Sequence, residues 1–167
     1  MASFANERLQ PSLLDRLTDD EPRSRRDPAE ARFISVDGYR ESVVRDLAWL
    51  LNANNLESTI ELGEYPAVAR SVVNFGVREI VGMTASGIDL GAIEKMLREV
   101  IAVFEPRLIP GTVVVKAVRD PASMAHNAVA FTIEAQLWSI PTPIRLVLRS
   151  ELDLESGLSK VADVTEE

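Results

Sequence analysis

Three glutamates, Glu105, Glu134 and Glu151, are the side chains best suited by type to acid–base work. Two carboxyl groups held roughly 5 to 10 Å apart, one with its pKa raised by an apolar setting, hydrolyse glycosidic bonds. Arg107 speaks against Glu105 in that role. It lies two residues further on, and side chains two apart in an extended segment leave the backbone on the same side. A guanidinium there lowers a carboxylate's pKa, the wrong direction for a general acid. An ion pair at a corner is therefore the stronger reading of Glu105 and Arg107, with a peptidoglycan-active glycosidase as the alternative. The same triplet at Glu21, Pro22 and Arg23 is embedded among Asp19, Asp20, Arg25 and Arg26 and reads as solvated.

Other chemistry finds less support. Ser139 or Ser150 needs a base to become a nucleophile, and the one histidine, His126, sits in the turn-like "SMAHNAVA". Gly82, Gly87 and Gly91 are scattered and lack the lysine of a phosphate-binding loop. Without cysteine, and with a single histidine, the chain has neither thiolate nor multi-histidine metal ligation to offer. Met83, Met96 and Met124 lack ligand spacing. No catalytic residue, cofactor or metal is expected.

The totals narrow the partners. Eighteen basic against 26 acidic residues leave a formal charge of −8, which opposes binding to a polyanion, so nucleic acid is not an expected partner. The apolar runs are far shorter than the roughly 20 residues of a membrane span, so direct membrane insertion is not expected. The start "MASFANERLQPSLLDRL" has an early acid and no signal-length apolar stretch, and reads as an unexported cytoplasmic chain.

The elements that must position these residues follow from periodicity. Residues 1–36 read as a short amphipathic helix, with Leu9, Leu13, Leu14 and Leu17 at helical spacing, and a charged, proline-bearing linker. A compact domain is expected over 37–160 and an acidic tail over 161–167. Asp37 is a candidate N-cap for a helix carrying Val43, Val44, Leu47, Leu50 and Leu51 and ending near Asn52. A second helix is predicted from Pro66 through Val68, Val72 and Phe75 to Gly76. A third begins at a capping box of Ser86 and Asp89, carries Ile93, Leu97, Val100, Ile101 and Phe104, and pairs Glu94 with Arg98 on its exposed side. Pro106 disfavours helical geometry at Glu105, so this helix should end at Phe104. The period then changes to two, giving strands from Thr112, Ala128 and Ile144 and an antiparallel meander. Helices first and sheet later is an α+β order: amphipathic helices on one face of a mainly antiparallel sheet, with an N-terminal tail. As the last strand of the three, the one from Ile144 to Leu154 is expected to form an exposed edge, with Arg145 and Arg149 on its polar side.

"PSLLDRL", "SVVRDLAWLLN", "YPAVARSVVNFG", "AIEKMLREVIAVFEPRL" and "LWSIPTPIRLVLRSELDLESG" together resemble TssE, the type VI secretion baseplate family that belongs with the phage tail baseplate wedge proteins bearing a "lysozyme-like" label. The most specific element is the Glu105-Pro106-Arg107 triplet after the amphipathic helix. The resemblance implies a structural, non-enzymatic subunit of a wedge with TssF, TssG and TssK, where the contractile sheath of TssB and TssC begins to polymerise. It implies a cytoplasmic location, in a baseplate docked at the inner membrane. Glu105, Pro106 and Arg107 are then expected to register a neighbouring chain, with Arg145, Arg149, Leu13, Leu14 and Leu17 as further protein-interaction residues.

Overall fold

A computed structural model describes residues 9–18, 22–23, 33–79, 89–118 and 127–165. Its helices are α1 (Leu13–Leu17), α2 (Val36–Leu51), α3 (Pro66–Ala69) and α4 (Leu90–Phe104). Its strands are β1 (Val114–Val118), β2 (Ala128–Leu137), β3 (Ile144–Asp153) and β4 (Ser159–Asp163). The architecture is the expected α+β one, a four-stranded antiparallel sheet in the order β1-β2-β3-β4 with α2 and α4 on one face.

Alternation along β2 and β3 decides which face is covered. Val129, Phe131, Ile133, Ala135 and Leu137 stand opposite Leu152, Ser150, Leu148, Leu146 and Ile144, and this side meets Val43, Leu47 and Leu50 of α2 and Ile93, Leu97 and Ile101 of α4. Among the described residues, no helix is long and apolar enough to cross a membrane.

Four local expectations change. Ser35, rather than Asp37, caps α2, its hydroxyl accepting the Gly38 N–H at 3.1 Å, and Asp37 takes a place in the first turn where a carboxylate meets the positive end of the helix dipole. The helix expected from Pro66 to Gly76 breaks after Ala69. Ser71 is extended, donates its hydroxyl to the Val68 carbonyl (2.8 Å) and accepts from the Val73 N–H (3.4 Å). Such side-chain bonds compete with helical ones, and Val72 is left 82 % exposed. Gly76, at φ +121°, closes the segment, since a Cβ there would lie 2.3 Å from the Ala53 carbonyl oxygen. Glu94 turns from Arg98 to accept the Ala117 N–H of β1 at 2.7 Å, and the pair at four-residue spacing on α4 is Lys95 with Glu99 at 4.0 Å. Asp89 caps α4, accepting the Ala92 N–H, while Ser86, His126, Met83, Met124, Gly82 and Gly87 lie outside the described residues.

The fourth change concerns the sheet margin. β3 is not an edge strand, because β4 pairs with it from Leu152↔Ser159 to Leu148↔Asp163. The turn between them is made by Asp153, whose carboxylate accepts the N–H groups of Glu155 (2.8 Å) and Ser156 (3.0 Å), and by Gly157 at φ +72°. β4 runs through residues 161–163, where an acidic tail was expected. Its outer side is met at its first residue by Asn52, just past α2. The Asn52 side chain donates to the Ser159 carbonyl and accepts its N–H, both at 2.8 Å.

Candidate functional site

The exit of α4 builds the site. Ile101 accepts the Glu105 N–H (2.9 Å), Pro106 follows, and the Leu108 N–H returns to the Glu105 carbonyl (3.2 Å), a tight turn directly after Phe104. The chain then lies antiparallel to the end of β2. Leu108 bridges Leu137, the Ile109 N–H reaches the Gln136 carbonyl, and the Trp138 N–H reaches the Arg107 carbonyl, both at 2.8 Å.

This geometry brings Glu105 and Arg107 together. Arg107 grips the carboxylate with two parallel bonds, Nε to Oε1 at 2.7 Å and Nη2 to Oε2 at 2.5 Å. Its own N–H adds a third contact to Oε1 at 3.2 Å. The same guanidinium reaches α2, donating to Asp46 Oδ2 at 2.6 Å and to the Ser42 hydroxyl at 3.2 Å. Glu105 is 4 % exposed, whereas the side chains of Arg107 and Asp46 keep 20 % and 25 %. The acid is thus closed inside the corner and the base forms its lid.

Charges of alternating sign continue along α2. Arg45 donates to Asp46 Oδ1 through Nε (3.0 Å) and Nη2 (2.8 Å), stands 5.0 Å from the Trp49 ring centroid, and pairs through Nη1 with Asp15 of α1. The sequence Asp15, Arg45, Asp46, Arg107, Glu105 therefore joins α1, α2 and the exit of α4. Burial works to lower the pKa of Arg107, but bonds to Glu105 and then Asp46 outweigh it and hold the guanidinium above its ordinary value. The hydrogen bond to Arg45 holds Asp15 below the usual carboxylate value, against partial burial. Burial raises the Tyr39 phenol, Arg107's charge opposing and Glu105's adding. The Tyr39 hydroxyl donates to the Trp138 carbonyl at 3.4 Å.

The other expected residues lie apart. Leu13, Leu14 and Leu17 are 70 %, 47 % and 73 % exposed on α1, which buries none of its own residues and is held by Asp15 and by the Leu9–Ile34 bridge beside it. Arg145 and Arg149 stand on the face of the sheet turned away from α2 and α4, Arg145 3.7 Å from Glu134. Glu134 and Glu151 share that face, away from Glu105 at the corner. Ser150 is buried, its hydroxyl 2.7 Å from that of Ser159.

Ser42, Arg45 and Asp46 were missed by sequence reasoning. Their signal was present: Ser42 and Asp46 are four residues apart, beside the apolar positions Val43 and Leu47, and so form a polar strip on the buried flank of α2. Chemically the arrangement clamps a backbone corner to a helix.

A family model described as baseplate wedge protein gp25 matches residues 37–142. Neither a curated protein nor a solved structure matches the chain.

Proposed function

Because the chain belongs to the gp25 family of baseplate wedge proteins, we propose that it is the wedge subunit of a type VI secretion baseplate on which the contractile sheath of TssB and TssC starts to polymerise. Its neighbours in the wedge are TssF, TssG and TssK, and the baseplate docks at the inner membrane from the cytoplasmic side. No bond-breaking chemistry is asked of Glu105 in this reading.

The observation that carries the proposal is the clamp at the Glu105-Pro106-Arg107 corner. A buried ion pair adds little net stability against an apolar alternative, but it penalises any arrangement that leaves one partner unpaired by about 3–5 kcal/mol. Such a device suits specification of one geometry. Here it fixes the angle at which α4 turns into the segment along β2, and with it the half-exposed Trp138 and Ile140 beyond that strand's end. A neighbouring subunit is registered against this fixed corner, and the exposed leucines of α1 supply a second contact. The test is sheath assembly in cells. Arg107→Ala is expected to leave a folded protein and to abolish sheath formation, and normal sheaths in that variant would remove the registration role.

A further inference from the structure

The face of the sheet turned away from α2 and α4 carries an ordered pattern. Reading across the strands, one row is Lys116, Thr132, Arg149 and Ala162. The next is Val114, Glu134 and Val147, extended by Val164, whose N–H reaches the Val147 carbonyl at 2.9 Å. Beyond it Gln136 stands opposite Arg145, and on the far side Lys160 stands opposite Glu151. Val114 and Val164 are 43 % and 47 % exposed. A band of valines thus runs across the sheet between flanking cations, with Glu134 inside it facing Arg145 at 3.7 Å.

Charge sets this face apart from the rest of the molecule. It holds Lys116, Arg145, Arg149 and Lys160 against Glu134, Glu151 and Asp153, four cations to three anions, on a chain of net charge −8. Asp153 is, moreover, turned into its own hairpin. Three inter-strand spacings of about 4.8 Å make the band roughly 14 Å long, which about ten residues of α-helix would cover.

We infer that this face docks an amphipathic helix of a neighbouring baseplate subunit, one whose aliphatic stripe lies on Val114, Val147 and Val164 and whose flanks carry aspartate or glutamate. Arg145 and Arg149 then act from the face of an interior strand and not from a sheet edge. The inference rests on the wedge reading in taking its occupant from that assembly. Opposite charges along the flanks steer encounter and set orientation, while the valines supply the buried area.

Zero-length carbodiimide cross-linking tests it, since this reagent joins a lysine amine to a carboxyl group in direct contact, with loss of water. The full chain would be co-expressed with its neighbouring baseplate subunits and the purified complex cross-linked. Links from Lys116 or Lys160 to acids three or four residues apart in one helix of a partner are expected. Lys116→Glu with Arg149→Glu should weaken the complex at least about tenfold, and Val164→Asp should weaken it with less dependence on salt. A stable complex in which neither lysine is linked overturns the inference, as does one that both variants form at native strength. If the double variant fails to fold, Val164→Asp decides. Failure to form any complex overturns the wedge reading as well.

Discussion

Removing Arg107 is the sharpest probe of the corner, because its consequences divide by partner. In Arg107→Ala the Glu105 carboxylate, 4 % exposed, loses two charged bonds of 2.7 and 2.5 Å and keeps only a backbone N–H at 3.2 Å. Deleting one member of a buried pair costs about 3–5 kcal/mol. The Arg107 side chain is a fifth exposed, so water reaches the vacated space, and the lower end, about 3 kcal/mol, is expected. Asp46 loses less because Arg45 still holds its other oxygen. Lysine keeps the charge but cannot span both oxygens of Glu105 while reaching Asp46, so Arg107→Lys should cost about 1–2 kcal/mol. Replacing both partners, Glu105→Gln with Arg107→Met, removes the stranded charge and should cost about 1 kcal/mol. Urea unfolding followed by tryptophan fluorescence reads these differences. At an m-value of about 2 kcal/mol/M, a loss of 3 kcal/mol moves the midpoint by about 1.5 M. The reasoning is refuted if the double replacement costs the sum of the two single ones, since the pair would then have no coupling. Ordinary stabilities of about 5–15 kcal/mol leave Arg107→Ala folded, which keeps the test of sheath assembly interpretable.

Two further outcomes are expected. Gly76→Ala places a methyl group 2.3 Å from the Ala53 oxygen at a φ of +121°, and should cost at least about 2 kcal/mol, seen as a fall in Tm of roughly 4–8 °C; an unchanged Tm would contradict the close approach. The Asp15–Arg45 contact should be pH-dependent. Asp15 has its folded pKa below 3.8, so the contact's stabilisation is fully present above that value and is lost as pH falls through the lowered one. Arg107 and Arg45, both raised, stay charged throughout this window. With Trp138→Phe as background, Trp49 fluorescence should change at acid pH as Arg45 loses Asp15 and is left on Asp46 alone, and Asp15→Asn should show the acid signal already at neutral pH; a flat Trp49 response in both proteins would refute it.

Most of the fold was legible because the period of apolar residues changes cleanly. α4 ends at Phe104 as Pro106 requires, and β2 alternates from Val129 to Leu137 as written in the chain. The failures share a cause. Val68, Val72 and Phe75 have helical spacing, yet Ser71 and the buried Asn74 bind backbone groups locally, and a hydrophobic pattern does not register that competition. β4 has five residues, with Ser159 and Val161 directed inward, too little alternation to announce a strand. At the corner, the meeting of Glu105 with Arg107 follows from two-residue spacing. Their link to Ser42 and Asp46 spans some 60 positions of sequence and exists only once α2 has packed beside the α4 exit.

Glu94 and Asn52 share a task at opposite borders of the sheet. One accepts the Ala117 N–H of β1, and the other satisfies both backbone groups of Ser159 on β4. Each side chain imitates one rung of a missing strand. A bare border invites any passing chain to extend the ladder, so α4 and the residue that follows α2 lend a single placeholder each, and an intruder must first evict a polar group that is already bonded.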